Sequence, residues 1–488
     1  MQSKGKPFYE DDRQIEMTAY MGPRRAGKRN FNEHYGNPRD PEEGYESFWT
    51  EQVFKEYKEA GFTFLIPEGD AFFGTRITPE GLVSEEDFTK SDLYVFMNKA
   101  QEHGLAVYPS CRKLLDKIAR APGRLNEEEK KVIQVFVKTI KSHFPETCKG
   151  VLLTDEPSVQ AADHIEEIVG YIRDLAPDMD VFVSMLPIYG CVGAYKKKYD
   201  TEEFKNKPIT IEMREEAYQN YIDTYGKVMG EFAFDYYPMQ YNEKDVLAPT
   251  FYMNLEMVAN SGLENGFKTA ITLQSFGMDA HYNPETGKAN RIFAVPSYED
   301  IRYQVYSSLA FGVKRIGYFT FWQHYNEGSA EVFPTAMVVY DEAEECGYRK
   351  TGIYDAVKKV NQQIQMFDHV FLRFDWKGCR VVRKSDDDNM KFVKGDYTGG
   401  NLKDVCAKRD TLVGCFENPE DGREGYWVVN AHNPFFYEWN EVELQFDKAT
   451  HIQYYRTGKE RTATLDENGK FSIRLGAGEG IFIIPYTE

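Results

Sequence analysis

Short, apolar, β-rich runs alternate with longer segments of helical period from about residue 14 to residue 370. Eight such runs are present: Ile15 to Met21, Gly61 to Pro67, Leu105 to Ser110, Gly150 to Asp155, Asp180 to Leu186, Phe232 to Pro238, Thr269 to Phe276 and Arg315 to Trp322. A run that is apolar on both faces and is followed by an amphipathic segment is typical of a parallel strand covered by helices. The alternation therefore predicts an α/β chain with a parallel sheet.

Eight consecutive units of this kind close most naturally into a barrel, so we expect a (β/α)8 TIM barrel over residues 14–370. The alternative is an open, doubly wound sheet. That fold normally carries a glycine-rich first turn for a dinucleotide, and no early strand end here has the pattern G-x-G-x-x-G.

The last quarter of the chain has a different sequence pattern. Short alternating segments follow one another between turn signals, and Glu467-Asn468-Gly469-Lys470 is a good hairpin turn. Residues 371–488 are therefore predicted to form a small, all-β antiparallel sandwich domain behind the barrel. Residues 1–13 are predicted to be an N-terminal extension.

Charge and motif patterns exclude several classes of partner and cofactor. With 59 Lys+Arg against 78 Asp+Glu the formal charge is -19, which repels nucleic acid, and we find no sizeable basic patch. The seven Cys and nine His form no zinc-type spacing, and Walker and G-x-S-x-G motifs are missing. We therefore expect no metal and no cofactor.

No stretch of the sequence reaches the length of a membrane span, and the first residues lack the apolar core of a signal peptide. If an export signal has been removed upstream, the location is extracellular or periplasmic. We expect the source to be a bacterium, and the oligomeric state stays open.

The fourth apolar run carries the most informative motif, Thr154-Asp155-Glu156-Pro157. In a barrel the carboxyl ends of the strands form the face that binds ligands, and burial there raises a carboxyl pKa. A protonated carboxylic acid is what the departing oxygen needs during glycosidic cleavage. The structural alternative is a helix N-cap formed by Asp155 or Ser158.

Other strand ends supply polar and aromatic candidates. The sixth run offers Asp235 as a second catalytic carboxylate. The candidates for substrate binding are Glu68 and Arg76 after the second run, Tyr236 and Tyr237 on the sixth, Gln274 on the seventh, and Trp322 and His324 on the eighth. Asp70, Asp279 and Glu327 are weaker candidates for a carboxylate.

These motifs resemble those of clan A glycoside hydrolases, a superfamily of retaining (β/α)8 enzymes that often carry a C-terminal sandwich. The resemblance implies that Glu156, before Pro157, is the acid/base, that Tyr236 or Tyr237 is the tyrosine after strand six, and that Trp322 is the tryptophan ending strand eight. Two positions depart from the pattern. Asp155 stands where asparagine is usual, and Gln274 stands where the superfamily has its nucleophilic glutamate.

Because Gln274 cannot serve as that nucleophile, four functions remain open. The first is a glycoside hydrolase acting on an oligo- or polysaccharide, with Glu156 as general acid and Asp235 as its first-choice partner. The second is a barrel that binds carbohydrate without cutting it.

The Asp155-Glu156 pair also resembles family 20 hexosaminidases, which implies a substrate-assisted route in which Asp155 orients a 2-acetamido group. A scaffold that uses the sandwich for docking is the last alternative. The sugar, the linkage, exo or endo action and the stereochemical outcome stay open.

Overall fold

A computed structural model describes residues 5, 7–23, 49–67, 77–78, 81–82, 88–109, 115–121, 123–205, 207–241, 245–283, 288–323, 332–341, 343–385 and 388–488. Each of the eight predicted runs contains a strand. These are β1 (Glu16–Ala19), β2 (Phe64–Leu65), β3 (Ala106–Val107), β4 (Gly150–Asp155), β5 (Asp180–Met185), β6 (Glu231–Tyr236), β7 (Lys268–Gln274) and β8 (Arg315–Phe319).

A longer helix follows every one of these strands. In chain order they are α1 (Glu51–Glu59), α2 (Asp92–Glu102), α3 (Glu127–His143), α4 (Ala162–Leu175), α5 (Ile211–Met229), α6 (Phe251–Asn265), α7 (Tyr298–Ala310) and α8 (Gly352–Gln365). Helix α3 illustrates why they form. Asn126 and Glu129 make a reciprocal capping box at its start, and an apolar stripe that includes Phe136 and Ile140 is buried.

Six of the strands form one curled, parallel sheet in the order β1-β8-β7-β6-β5-β4. The other two, β2 and β3, pair with each other in parallel. Backbone hydrogen bonds link this pair to both edges of the larger sheet. The Thr63 amide, next to β2, donates to the Met17 carbonyl on β1 (2.8 Å), and the Lys149 amide, next to β4, donates to the Val107 carbonyl on β3 (3.3 Å).

The amino-terminal end of the parallel sheet holds an ion cluster around a buried arginine. Arg315 is 8% exposed, and its guanidinium lies 2.5 Å from Glu16, 3.0 Å from Asp180 and 2.6 Å from Glu231. An apolar layer lies next to it inside the curl; its buried members are Phe64, Ile66, Tyr108, Leu152, Phe182, Ala233 and Ala270. Among the described residues, this apolar layer separates the ion cluster from the polar side chains at the carboxyl ends of the strands.

Smaller elements are inserted between these units. A five-stranded antiparallel sheet contains Met239–Tyr241, Asp245–Leu247, Gly277–Asn283, Lys288–Phe293 and Val332–Thr335. Two-stranded ladders join Ile77–Thr78 to Gly81–Leu82 and Val338–Tyr340 to Tyr348–Lys350. The short helices are Lys117–Ala119, Val192–Tyr195, Glu202–Lys205 and Asp368–Phe371, with 3-10 turns at Val159–Ala161, Lys197–Tyr199, Asp388–Met390 and Pro434–Phe436.

The chain is antiparallel after residue 371, as the sequence predicts. The strands are β9 (Asp375–Val382), β10 (Leu402–Ala407), β11 (Thr411–Glu417), β12 (Glu424–Asn430), β13 (Asn440–Phe446), β14 (His451–Arg456), β15 (Lys459–Thr464), β16 (Lys470–Leu475) and β17 (Gly480–Tyr486). They form two sheets, β9-β11-β12-β17-β14-β15 and β10-β13-β16, with an apolar cluster that draws side chains from both.

An apolar interface joins this antiparallel unit to the helices of the first part. The ring of Trp427 on β12 lies 5.5 Å from that of Tyr306 on α7, and Phe482 on β17 lies 5.6 Å from Phe371. Within the described part of the chain, no helix has both the length and the apolar character that crossing a membrane requires. The boundaries at residues 13 and 370 stay predictions.

Candidate functional site

The carboxyl ends of several parallel strands bring polar side chains into one neighbourhood. Tyr20 follows β1, Ser184 lies on β5, Asp235 on β6 and Thr272 on β7. Burial raises the pKa of Tyr20 above its usual value; the negative charges of Asp155 and Asp235 add to the effect, and the nearby hydroxyls of Ser184 and Thr272 oppose it. These strand tips therefore surround a shared polar space.

Asp235 is the buried carboxyl group of this space, with 8% of its surface exposed. Burial is the main reason why its pKa lies well above the usual value, and the negative charges of Glu156 and Asp155 raise it further. A hydrogen bond from the Tyr237 hydroxyl opposes the shift. Three carboxyl groups from two strands, β4 and β6, are thus electrostatically coupled, and Asp235 retains its proton at a pH where an ordinary aspartate is ionised.

Glu156 has an unusual backbone. Its φ is +47°, in the left-handed region that residues with a Cβ seldom adopt. The Glu156 amide donates to the Ser184 carbonyl (2.7 Å), and the Tyr221 and Tyr225 hydroxyls donate to the carbonyls of Pro157 and Ser158 (2.7 Å each). Such strain costs about 1–3 kcal/mol and persists where the surroundings impose it, which is common at functional sites. The Glu156 side chain is exposed at this turn.

The N-cap alternative has little support in this geometry. Ser158 precedes the 3-10 turn and Ala161 precedes α4, and neither makes a side-chain capping bond. A neighbouring pair fixes the tip of β4 instead. Arg120 donates to the Asp155 carbonyl and lies 2.8 Å from the Asp116 carboxylate, which also accepts a hydrogen bond from Thr154. This contact holds the backbone on which Asp155 and Glu156 are presented.

Aromatic side chains form the sides of the site. Tyr189, after β5, is 39% exposed and lies close enough to Asp235 and Glu156 to be influenced by their charges. The half-buried Tyr237 ring lies 5.8 Å from Phe319 and 5.0 Å from Phe276. Flat apolar faces therefore stand beside the three carboxyl groups.

Three predicted substrate contacts are buried and need correction. Tyr236 is 0% exposed and its hydroxyl lies 2.7 Å from that of Thr250, because the residue next to an inward-facing Asp235 faces the helices. Trp322 is also 0% exposed and packs 5.3 Å from Tyr348. Neither side chain has surface to offer a sugar.

Gln274 is the third correction. It is 0% exposed, its side-chain carbonyl accepts from the Met239 amide (2.9 Å), and its amide donates to the Ala294 carbonyl (2.8 Å). Gln274 therefore supports the antiparallel strands above β7 instead of contacting substrate. Glu68, Arg76 and His324, like Asp70 and Glu327, lie outside the described residues.

Tyr20, Ser184, Thr272 and Tyr189 are the neighbours of the carboxyl groups that the sequence reasoning missed or weighed lightly. The signal that finds the first three is strand alternation, since Ser184 and Thr272 are polar interruptions of apolar strands at inward positions. Among the described residues, no group of three or more His, Cys, Asp or Glu side chains is placed to hold a metal ion.

No protein-family model matches the sequence, and no curated protein matches it. Solved structures do resemble the fold. One described as a glycoside hydrolase has a TM-score of 0.50 at 10% identity, covering 97% of this chain and 93% of its own. A glycoside hydrolase family 5 protein from Bacteroides vulgatus has a TM-score of 0.48 at 10% identity (97% and 89%), and an Anoxybacillus alpha-amylase has 0.44 at 10% identity (98% and 100%). The first of these shows that the chain has the overall fold of a glycoside hydrolase.

Proposed function

We propose that this protein is a glycoside hydrolase that cleaves an oligo- or polysaccharide, with Glu156 as general acid and Asp235 as the second carboxyl group. The observation that carries the proposal is the coupling of an exposed glutamate on a strained turn to a buried aspartic acid with a raised pKa. Perturbed, coupled carboxyl groups at the carboxyl ends of parallel strands are typical of acid-base sites. The proposed substrate agrees with the predicted extracellular or periplasmic location.

The same proposal includes a (β/α)8 barrel. The six-stranded curled sheet ends at β1 and β4, and the β2-β3 pair makes backbone hydrogen bonds to chain beside both of these edges. All strand pairs in this set are parallel, and each strand precedes a helix. Both features support closure of the eight strands into one ring.

The mechanism starts from the repulsion among the carboxyl groups. The charges of Glu156 and Asp155 raise the pKa of Asp235, so the three coupled carboxyl groups together hold a proton at a pH where ordinary carboxyl groups have lost theirs. In the reacting state we assign this proton to Glu156, which leaves Asp235 ionised. Glu156 is the exposed member of the set, so it is the group that meets the glycosidic oxygen and gives up that proton as the bond breaks.

Asp235 acts on the other half of the reaction. As positive charge develops at the anomeric carbon, an ionised carboxylate in a buried position stabilises it strongly, because little water screens the interaction. Water then adds to that carbon, so that a new C–O bond replaces the broken one, and the proton that the water releases returns to Glu156 and restores the acid. Tyr237 donates a hydrogen bond to Asp235 and so assists its ionisation. Asp155 stays beside the pair, held through its backbone carbonyl by Arg120.

Hydrolysis of a panel of aryl glycosides and oligosaccharides tests the proposal. We expect Glu156→Gln to lose about 10²–10⁴-fold in kcat/KM on sugars with poor leaving groups, the usual contribution of general acid catalysis. The loss should be small on 2,4-dinitrophenyl glycosides, whose leaving group needs no proton. Glu166→Gln, an exposed glutamate on α4, is the matched control and should retain wild-type rates.

Three results would contradict the proposal. Equal activity of wild type and Glu156→Gln would make Glu156 structural. An equal loss on both classes of leaving group would remove its role as acid. Stabilisation by a sugar without any turnover would favour a barrel that only binds carbohydrate.

A further inference from the structure

Residues 433–439 of the antiparallel unit expose three aromatic side chains within four positions. Phe436 is 57% exposed, Tyr437 is 60% exposed and Trp439 is 50% exposed; we call these three side chains the aromatic ledge. Single exposed apolar residues are ordinary, but three exposed aromatic side chains on one short segment indicate a binding surface. The other exposed aromatic side chains in the described residues, Tyr9 and Tyr189, lie elsewhere in the chain.

The backbone of the ledge is firmly held. The Tyr437 amide donates to the Pro434 carbonyl (3.0 Å) while Tyr437 itself has φ +56°, a left-handed conformation for a residue with a Cβ. Asn430 donates from its side chain to the Glu438 carbonyl (3.0 Å), and Arg409 donates to the Trp439 carbonyl (3.0 Å). The rings are thus presented by a preorganised turn, which lowers the entropic cost of binding.

Charged groups accompany the exposed rings. The Arg474 guanidinium lies 4.7 Å from the centre of the Trp439 ring, and Arg409 Nη1 lies 2.5 Å from Glu438 Oε2. A pyranose presents a flat face of C–H groups and a rim of hydroxyls. Aromatic faces beside hydrogen-bond donors and acceptors match both parts of such a ring.

The ledge lies towards the end of the molecule that carries the carboxyl groups. The 3-10 turn Pro434–Phe436 contacts α7, and Arg302, near the start of that helix, donates to the Ala477 carbonyl (3.0 Å). Helix α7 begins with chain that leaves the carboxyl end of β7, so its first turns lie at the same end of the sheet as Glu156 and Asp235.

We propose that the aromatic ledge is a carbohydrate-binding surface that holds a polysaccharide chain outside the site of Glu156 and Asp235. This inference deepens the proposed function and rests on it for the class of ligand. A second protein is a poorer occupant. Three half-exposed aromatic side chains offer about 300 Å², whereas each partner of a stable protein interface buries about 800 Å².

Native gels that contain xyloglucan, barley β-glucan, arabinoxylan or starch test the ledge. All proteins carry Glu156→Gln, so that cleavage does not remove the probe. The parent should be retarded by at least one polysaccharide, and Tyr437→Ala/Trp439→Ala should bind it about tenfold more weakly, since each lost stacking contact is a modest effect. Tyr9→Ala is the control at a distant exposed aromatic and should bind like the parent. Sedimentation velocity records the oligomeric state of each protein.

Retardation that is equal in parent and double variant would overturn the proposal, as would the lack of retardation by all four polysaccharides. A parent that is a dimer and a double variant that is a monomer would show that the ledge pairs two copies instead. The two proposals fail separately. Ledge-dependent retardation supports the ledge and, if the wild type hydrolyses no aryl glycoside or oligosaccharide, the hydrolase is refuted on its own; hydrolysis by the wild type without such retardation does the reverse.

Discussion

The left-handed backbone at Glu156 leads to a prediction in which stability and activity change in opposite directions. A residue with a Cβ costs about 1–2 kcal/mol in this conformation, and glycine avoids that cost. Glycine also has more conformational freedom in the unfolded chain, which lowers the free energy of unfolding by about 0.4–1 kcal/mol. We therefore expect Glu156→Gly to raise the free energy of unfolding by about 0.5–1 kcal/mol while hydrolysis of poor leaving groups is lost.

Two companion variants separate backbone strain from charge. Glu156→Gln keeps the Cβ and removes only the repulsion of Asp155 and Asp235, so its gain in stability should be smaller than that of glycine. Thr457→Gly changes a second left-handed residue, with φ +50°, on an exposed hairpin between β14 and β15. Thr457→Gly should therefore raise the free energy of unfolding as Glu156→Gly does, and it should keep full activity.

Urea unfolding of all the proteins at one pH measures these differences. The midpoints are compared between proteins whose unfolding free energy depends equally steeply on urea concentration. The reasoning fails if Glu156→Gly unfolds at lower urea than wild type while Thr457→Gly does not. That result would mean that the Glu156 side chain makes contacts worth more than the strain, as a structural residue would. It would also remove the strained turn from the argument for function.

Two further predictions concern buried charge. Because the pKa of Asp235 is raised in the folded state, wild type loses stability as the pH rises from the ordinary value of about 4 towards the folded pKa. Asp235→Asn should lose less, since Glu231, whose pKa burial raises to about 7, contributes the same loss to both proteins; parallel pH profiles of unfolding free energy for the two proteins would contradict this. Arg315→Met should leave Glu231, the most buried of the three carboxyl partners, without its cation and cost about 3 kcal/mol, the low end for a buried pair, because Glu16 and Asp180 are partly exposed. The loss should grow as the pH rises and Glu231, whose pKa burial raises to about 7, ionises; urea unfolding at pH 5 and pH 8 measures it, and a loss that shrinks with pH would refute the assignment.

The positions of the eight parallel strands could be predicted because strands covered on both faces leave a run of apolar residues that few other structures require. The direction of side chains at the strand ends could not. Once Asp235 faces inward, period-2 alternation turns Tyr236 outward, but the sequence alone does not say which of the two faces in. The resemblance in sequence to known enzymes favoured Trp322 and Tyr236, and the structure buries both.

Gln274 and Glu156 show two other limits of the sequence. The partners of Gln274 are backbone groups of Met239 and Ala294, which the sequence cannot place beside it. Glutamate is not a residue that favours φ above zero, so nothing local predicts the turn at Glu156. That turn arises because Ser184 and the Tyr221 and Tyr225 hydroxyls bind the chain on both sides of it.

The two ends of the parallel sheet hold similar numbers of carboxyl groups in opposite electrostatic settings. At the amino-terminal end Glu16, Asp180 and Glu231 surround Arg315, so their charges are matched by a cation and the cluster is suited to stability. At the carboxyl end the main influences on Asp235, within the described residues, are burial and the negative charges of Glu156 and Asp155. Repulsion among these carboxyl groups destabilises the fold, and a cation beside them would remove it, as Arg315 does at the other end of the same strands. The cost is explained if the retained proton is the one that leaves with the glycosidic oxygen.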